Sequence, residues 1–421
     1  MNIDLTGKKI VIGVTGSISV YKACDIARLF IKAGANVQVV MSEAAKRFVT
    51  PLTFEALTRN IVLHEGSESW ASNLNHIEIT KDCDLLLIAP ATANTINKMA
   101  KGICDNILLE TIIACNKPIA IAPAANTNML ENHQTKNSLK MLAVSDITII
   151  EPQNKLLACG DTGSGALAEP SEIFWECSKI LLKDSFWENR RVVVTGGGTR
   201  EKIDDVRFIS NYSSGKMANS IATALHLKGA DVCLITTAKH DSIPKNIYTI
   251  DVESATEMMD FTIDAIRVAK KGVMSKPSIS NPDSIALIQK EPYLFMVAAI
   301  ADFTPTYPQV GKIKKSDIGE HWEIKLKQNP DILNSIDKNG IKTVAFKAEM
   351  NKENGLKNAY SLMKQKSVDA VCYNHISEEN NFGSDENKIV WITDNEEVNF
   401  DKKDKLSLAF DVLETSKKLS K

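Results

Sequence analysis

Lys8-Lys9-Ile10-Val11-Ile12-Gly13-Val14-Thr15-Gly16-Ser17 decides the fold. Residues 8–14 read as a strand buried on both faces, as parallel strands are. A glycine turn with hydroxyls follows at once. A helical pattern then runs from Ile18 to Gly34, where glycine is a plausible stop. Asn36–Met41 is the next strand, and Leu85–Ala89 and Ile119–Ala122 are further buried strands, each running into Ala-Pro. Apolar strands alternating with helices predict a doubly wound α/β sheet. Ligands of such sheets bind beyond the carboxyl ends of the strands. Gly16, Ser17, Ser42, Pro90–Asn94 and Pro123–Asn126 all fall at those ends.

The pattern restarts after the polar stretch 183–189, which sets expected domains of 1–185 and 190–421. Arg191–Thr195 is a buried strand running into Gly196-Gly197-Gly198-Thr199-Arg200. A helix over Ser214–Lys228 puts Met217, Ile221, Ala224 and Leu225 on one face. Asp231–Ile235, Leu294–Ala299 and Thr343–Phe346 read as further strands. Leu406, Ala409, Phe410 and Leu413 form the core face of a last helix. Residues 271–292, rich in Pro, Ser and Asn, read as a surface loop. The fold class is therefore α/β, with two doubly wound, largely parallel-sheet domains.

Composition narrows the function. A net charge of −2 over 421 residues disfavours nucleic acid or an anionic membrane as bulk partner. No apolar run approaches membrane-spanning length. The N-terminal residues lack the apolar core of a signal peptide and enter a strand almost at once. The eight cysteines contain no Cys-x-x-Cys pair, so neither a zinc site nor a disulfide framework is suggested. Reduced thiols in the cytoplasm are the simplest fit.

The first glycine loop, Gly13-Val14-Thr15-Gly16-Ser17-Ile18-Ser19, is not the dinucleotide fingerprint Gly-x-Gly-x-x-Gly. The second strand ends at Ser42, a hydroxyl rather than a ribose-binding carboxylate, with Glu43 beside it. These features favour a mononucleotide such as FMN over NAD, with its phosphate near the helix start at Gly16-Ser17. The alternative is a tight turn with no ligand. Ser213-Ser214-Gly215-Lys216-Met217 is not a P-loop. It lacks the earlier glycine, and Met217 replaces the magnesium-binding hydroxyl. It still places a helix N-terminus near Asn211 and Lys216, where an anion is accommodated. In Ala158–Gly165, Cys159 stands among Gly160, Gly163 and Gly165. This is either a mobile loop bringing a proton-transferring thiol over a ligand or a surface turn with a free cysteine.

Taken in order, the motifs resemble those of the bacterial bifunctional flavoproteins of coenzyme A biosynthesis, which join a phosphopantothenate–cysteine ligase to a phosphopantothenoylcysteine decarboxylase. In the first half they are Gly16–Lys22, Asn75-His76-Ile77-Glu78, Ala89–Thr95, Pro123–Met129 and the Cys159 loop. In the second half they are Thr195–Glu201, Ser210–Met217, Ala298–Phe303, Lys312–Lys315 and Asn329–Ile332. Each is weak alone, and their ordered co-occurrence over nearly the whole chain is strong.

The resemblance implies FMN held by Gly16, Ser17, Ser42, Pro90, Ala91, Thr92 and Asn94. It also implies His76 as catalytic base, Asn126 holding the substrate carboxylate, and Cys159 protonating the enethiol intermediate. FMN would supply the oxidation that makes loss of CO₂ feasible. For the ligase it implies CTP with Mg²⁺, an acyl-cytidylate of 4′-phosphopantothenate, and attack by cysteine. Asn211 and Lys312 would handle that intermediate. Ala298, Asp302, Lys312, Pro330, Asp331, Ile332, Leu333, Phe346 and Lys366 would bind the nucleotide. Metal ligands are not identified. A homo-oligomer, a dodecamer built from trimers, is the family's assembly.

Three positions depart from the family pattern. Ala125 replaces a common Met, Ala166 a common Arg, and Leu362 a nucleotide-contacting Lys; the 271–292 connection is also long. Two other readings stay open. One is a regulatory flavoprotein, against which His76, Asn126 and Cys159 count. The other is a chain whose ligase half has decayed.

Overall fold

The structure is a computed structural model. It describes all residues except 1–2, 157–159, 161, 276–285, 315–319, 378–379, 382 and 421, and leaves the side chains of 352–353 undescribed. Cys159 and Lys315 thus lie outside the described residues.

Ile3–Lys183 forms one compact unit. Its elements are β1 (Lys9–Val14), α1 (Val20–Lys32), β2 (Asn36–Met41), α2 (Pro51–Thr58), α3 (Glu78–Lys81), β3 (Leu85–Ala91), α4 (Ala93–Lys101), α5 (Ile107–Ala114), β4 (Ile119–Pro123), α6 (Thr127–Glu131), α7 (His133–Val144), β5 (Thr148–Ile149), β6 (Gln153–Leu156), β7 (Thr162–Ala166) and α8 (Pro170–Leu182). The sheet is parallel, in the order β2-β1-β3-β4-β5. Ile12 pairs with Val39 on one edge and Leu87 on the other, and the successive side chains Ile10, Val11 and Ile12 are all fully buried, so both faces of the strand are covered as well. On α1, Val20, Ala23, Ile26, Ala27 and Phe30 are buried at helical spacing. Phe30 meets Phe174 of α8 at 5.2 Å between ring centroids. β6 and β7 form an antiparallel hairpin apart from the sheet.

The second compact unit comprises Asp184–Met274 and Leu287–Lys421. It contains β8 (Arg191–Gly196), β9 (Arg200–Lys202), β10 (Phe208–Ser210), α9 (Lys216–Leu227), β11 (Asp231–Thr236), β12 (Tyr248–Asp251), α10 (Ala255–Ala269), β13 (Val273–Met274), β14 (Leu287–Ile288), β15 (Tyr293–Met296), β16 (Phe303–Pro305), β17 (Leu326–Gln328), β18 (Lys342–Glu349), β19 (Ala370–His375), β20 (Glu386–Asn387), β21 (Val390–Ile392) and β22 (Glu397–Asn399), with helices Lys352–Lys366 and Lys405–Ser416. Its eight-stranded sheet runs β12-β11-β8-β15-β18-β19-β21-β22. It is parallel as far as β19 and antiparallel beyond.

Both units are thus doubly wound α/β folds, with differences of detail from the sequence reading. The strand expected over Leu294–Ala299 is continuous only to Met296, and Ala299 then pairs with Gly198 through an isolated parallel bridge. Residues Met217–Leu227 of α9 are buried throughout, not on one face. The helix Lys405–Ser416 covers the face turned away from the sheet. On that covering helix Phe410 is only half-buried, with Lys228 Nζ 5.6 Å from its ring centre. Within 271–292, β13 and β14 pair as an antiparallel ladder; residues 276–285 lie outside the described residues. Among the described residues no helix is long and apolar enough to cross a membrane.

The second unit is closed by residues that precede its first strand. Trp187 is fully buried, with ring centroids 4.9 Å from Phe186, 5.0 Å from Tyr293 and 6.4 Å from Phe295. The Arg190 guanidinium lies 3.9 Å from the Phe186 ring centre, a cation–π contact. Lys417 reaches back to Asp184 at 2.7 Å. Replacing Trp187 by Ala leaves a large cavity and is expected to cost about 3–5 kcal/mol. Calorimetry of the full chain should show the second unit's transition falling while the first unit's stays in place.

Candidate active sites

At the carboxyl ends of β1 and β3 lies a cleft of about 870 Å³. Gly16, Ser17, Ser42, Thr92, Asn94 and Asn126 line it, as do the two departures Ala125 and Ala166. Pro90 and Ala91 stand behind the wall. Thr15 Oγ1 donates to the Pro90 carbonyl at 2.7 Å and accepts from Thr92 N at 3.1 Å, and Ala124 N donates to the Ala91 carbonyl at 2.9 Å. One hydroxyl therefore locks the ends of β1 and β3 together. The first turn of α1 contains no acidic residue and its N-cap Ser19 makes no capping bond, so its N–H groups suit an anion. Thr92 Oγ1 accepts from Thr95 N and opens α4 on the same cleft.

The β6–β7 hairpin forms another part of this wall. Gly165 lies so close to Ala125 that an added Cβ would fall 2.1 Å from the Ala125 oxygen, and Ala125 N donates to the Gly165 carbonyl at 3.1 Å. Only glycine permits that approach. Lys155 of β6 forms an ion pair with Glu169, the N-cap of α8, and Lys22 of α1 meets the same carboxylate at 3.5 Å.

His76 is not among the residues lining this cleft. Buried Asn75 holds the start of α3, its Oδ1 accepting from Ile77 N and Glu78 N at 3.0 Å each. Beside it, His76 Nδ1 is 3.0 Å from Glu68 Oε1 and 3.8 Å from Glu110 Oε2, and the Trp70 ring stands edge-on at 5.7 Å. With Nδ1–H donating to Glu68, Nε2 becomes the basic nitrogen. Sequence reading missed Glu68, which no motif marks. Asn126 Oδ1 accepts from Asn128 N at 2.9 Å, directing its NH₂ end the other way.

In the second unit, the loops after β15, β18 and β19 and the start of α9 enclose a pocket of about 500 Å³. Asn211, Ala298, Asp302 and Phe346 meet there. Asn211 Nδ2 donates to the Ile300 carbonyl at 2.8 Å. Lys312, Pro330, Asp331, Ile332, Leu333 and Lys366 are not brought into this lining. The Pro330 turn is nevertheless tied to Asp302, because Asn329 donates through N to the Asp302 carbonyl and through Nδ2 to the Ala301 carbonyl, both at 2.8 Å. Asp331 caps the short helix Ile332–Ser335 and pairs with Lys366.

Lys312 is exposed on a segment anchored by Asp204 and Asp205, which accept from Ile313 N and Gly311 N at 3.2 and 2.7 Å. Burial works against ionisation of Asp204, but backbone N–H donors from Val206, Arg207 and Ile313, with the Arg207 charge, hold its carboxyl below the usual range. Leu362 packs against the apolar cluster around Met363 and Val371.

Two lysines line the pocket: Lys216, which the sequence places at a helix start that accommodates an anion, and Lys405, which carried no clear sequence signal. Lys216 Nζ donates to the Gly383 carbonyl at 2.8 Å and to Asp385 at 2.6 Å. Lys405 is nearly buried and donates to the Ser384 carbonyl; burial and then the Lys216 charge push its ammonium below the ordinary lysine value. Lys405 belongs to the run Asp401–Lys405, indistinguishable in sequence from a solvated charge cluster.

The Flavoprotein family matches residues 2–181, and the family described as DNA/pantothenate metabolism flavoprotein C-terminal domain matches 187–276 and 283–419. The break in that match falls inside the long 271–292 connection. The chain is 36% identical over 415 residues to the coenzyme A biosynthesis bifunctional protein CoaBC of Haemophilus influenzae, covering 97% of each chain. It is 33% identical over 423 residues to the protein of the same name from Bacillus subtilis, covering 99% of this chain and 98% of that one. A solved FMN-binding protein, AtHal3, is 35% identical over 40% of this chain and 94% of its own, with a TM-score of 0.37.

The hairpin clamp generates a pH prediction. The Lys155 hydrogen bond, opposed by burial and helped by the Lys22 charge, holds the Glu169 carboxyl below its ordinary value. A carboxyl depressed in the folded state contributes stability that is present above its unfolded value and lost as the pH falls through the folded one. Amide exchange in β6 and β7 is expected to stay slow at neutral pH and to quicken only below the ordinary glutamate range; Glu169→Gln should abolish that dependence. By sequence and domain content, the chain belongs to the family of coenzyme A biosynthesis bifunctional proteins, CoaBC.

Proposed function

We propose that this chain catalyses two successive steps of coenzyme A biosynthesis. Residues 190–421, closed by the 184–189 segment, join cysteine to 4′-phosphopantothenate with CTP. Residues 1–185 then decarboxylate 4′-phosphopantothenoylcysteine to 4′-phosphopantetheine with FMN. The observation that carries this reading is that each compact unit has its own crevice at the carboxyl ends of its strands, and each crevice gathers residues matching a different half of the family's chemistry.

The first cleft fits FMN. Its strand order, β2-β1-β3-β4-β5, is one in which FMN sits at the β1/β3 switch point. The hydroxyls of Ser17, Ser42 and Thr92 and the uncapped start of α1 suit the phosphate. When bound, FMN supplies the electron sink that makes decarboxylation feasible. Asn126 grips the substrate carboxylate with a neutral amide, which avoids the strong charge stabilisation that would oppose CO₂ release. His76, oriented by Glu68, accepts a proton at Nε2. Cys159 supplies the later proton. Because His76 is outside the lining of its own cleft, the family's trimer-based dodecamer is a natural way to complete the site. Sedimentation of the purified protein tests that assembly.

In the second crevice Asn211 contacts the acyl-cytidylate. Asp302, Phe346 and the Pro330–Leu333 turn form the nucleotide side with Ala298, and Lys366 steadies Asp331. Lys312 swings a cation onto phosphate oxygens. Among the described residues no carboxylate–histidine–cysteine cluster suits a metal. Mg²⁺ would accompany the CTP phosphates, as this ion commonly does. The setting is the cytoplasm.

The test is mass-resolved product analysis with 4′-phosphopantothenate, cysteine, Mg²⁺, FMN and either CTP or ATP. Phosphopantetheine with CMP is the expected outcome. His76→Asn and Asn126→Ala are each expected to cut decarboxylation by at least about a hundredfold and to leave ligation intact, so that phosphopantothenoylcysteine accumulates. Lys312→Ala should do the reverse, slowing ligation while supplied phosphopantothenoylcysteine is still decarboxylated. Absence of product with either nucleotide would sink the ligase assignment.

A further inference from the structure

Cys83 and Cys115 line neither crevice, yet both belong to one apolar cluster, Cys83 inside it and Cys115 packed against it, and each thiol's ionisation responds to the other. The topology explains the meeting. Cys83 stands two residues before β3, and Cys115 caps α5 four residues before β4. These strands are neighbours, paired in register at Leu86 and Ile119. Both thiols therefore lie at the amino-terminal edge of the sheet, opposite the cofactor cleft. Cys83 is buried in the apolar cluster of Leu86, Ile107 and Ile112, and Cys115 packs against that cluster while remaining half-exposed. One sulfur is thus open to a small reagent, and its partner waits behind it.

We propose that Cys83 and Cys115 form a reversible thiol–disulfide site that reacts with peroxides and ties α3 to α5. The Cys115 thiolate attacks a peroxide oxygen; the O–O bond breaks, and a sulfenic acid and one molecule of water result. The Cys83 sulfur then displaces the hydroxyl as a second water while the S–S bond forms. Two electrons pass from the sulfurs to the peroxide, and a thiol reductant reverses the change. The Cys83 side chain, working against burial, pulls the Cys115 thiol down to about 7, so thiolate is available near neutral pH. The neighbouring Cys115 sulfur, and after it burial, push Cys83 the opposite way, which suits a second, resolving thiol.

The tie has a structural consequence. His76 stands two residues before α3, and α5 carries Glu110, whose carboxylate is 3.8 Å from the His76 ring. The opening turn of α5 also reaches the cleft through Asn106 and Leu108. A covalent link at the far ends of both segments restrains the pair that supports His76.

The test is chemical and independent of the proposed reaction. The full chain is treated with hydrogen peroxide, capped with N-ethylmaleimide and digested without reduction. A peptide pair joining Cys83 to Cys115, lighter by two hydrogens, is expected; it should vanish with dithiothreitol and be absent from Cys115→Ser and Cys83→Ala. Recovery of Cys115 capped, over-oxidised, or joined to a different cysteine would overturn the site. Amide exchange over 76–81 and 107–114 is expected to slow about tenfold in the oxidised wild type and to be unmoved by peroxide in either variant. Linkage without slower exchange would overturn the tie between α3 and α5.

Discussion

A parallel sheet whose strand order reverses beside its first strand leaves an uncovered crevice at the strands' carboxyl ends, and both sites depend on that constraint. In the first unit the reversal lies between β1 and β3, where Thr15 bridges the Pro90 carbonyl and the Thr92 amide. In the second it lies between β8 and β15. There the continuous pairing of β15 ends at Met296, Ala299 pairs once more with Gly198 beyond β8, and Val297–Ile300 line the pocket.

On the proposed reading the two crevices face different electrostatic problems. The first would hold a carboxylate without fixing its charge too firmly, and it offers amides, hydroxyls and helix N–H groups. Its lysines, Lys22 and Lys155, are engaged by Glu169. The second would manage phosphate charge during acyl activation, and it concentrates lysines: Lys216, Lys347 and Lys405 are in the lining, while Lys312 is exposed and outside it. Asp385 balances Lys216, and burial lowers the ammonium of Lys405. Stacking unpaired ammonium groups in one pocket would otherwise be costly.

The buried strands were legible in the sequence because a parallel strand covered on both faces reads as an unbroken apolar run, and the glycines after β1 and β8 mark where the backbone must turn sharply. The antiparallel edge strand β22 was not legible: its three residues, Glu397-Val398-Asn399, are exposed at both ends and carry no apolar run. Asn126, Asn211 and Asp302 were readable because each sits beside a strand end within a compact motif. Glu68 and Lys405 were not, since their roles arise from partners distant in sequence or from burial, which spacing does not encode. Leu362, read as a departure from a nucleotide-contacting lysine, is half-buried and packs against the cluster that contains Met363 and Val371.

The aromatic cluster around Trp187 bears on how such proteins can be taken apart. The segment joining the two halves does not behave as a tether: Phe186, Trp187 and Arg190 are part of the second unit's interior, and Asp184 is pinned by its last helical turn. Independence of the ligase half therefore begins upstream of its first strand. A gene fission, or a laboratory truncation, that starts the second polypeptide at Arg191 would discard its keystone, whereas one that starts at Asp184 inherits a finished module.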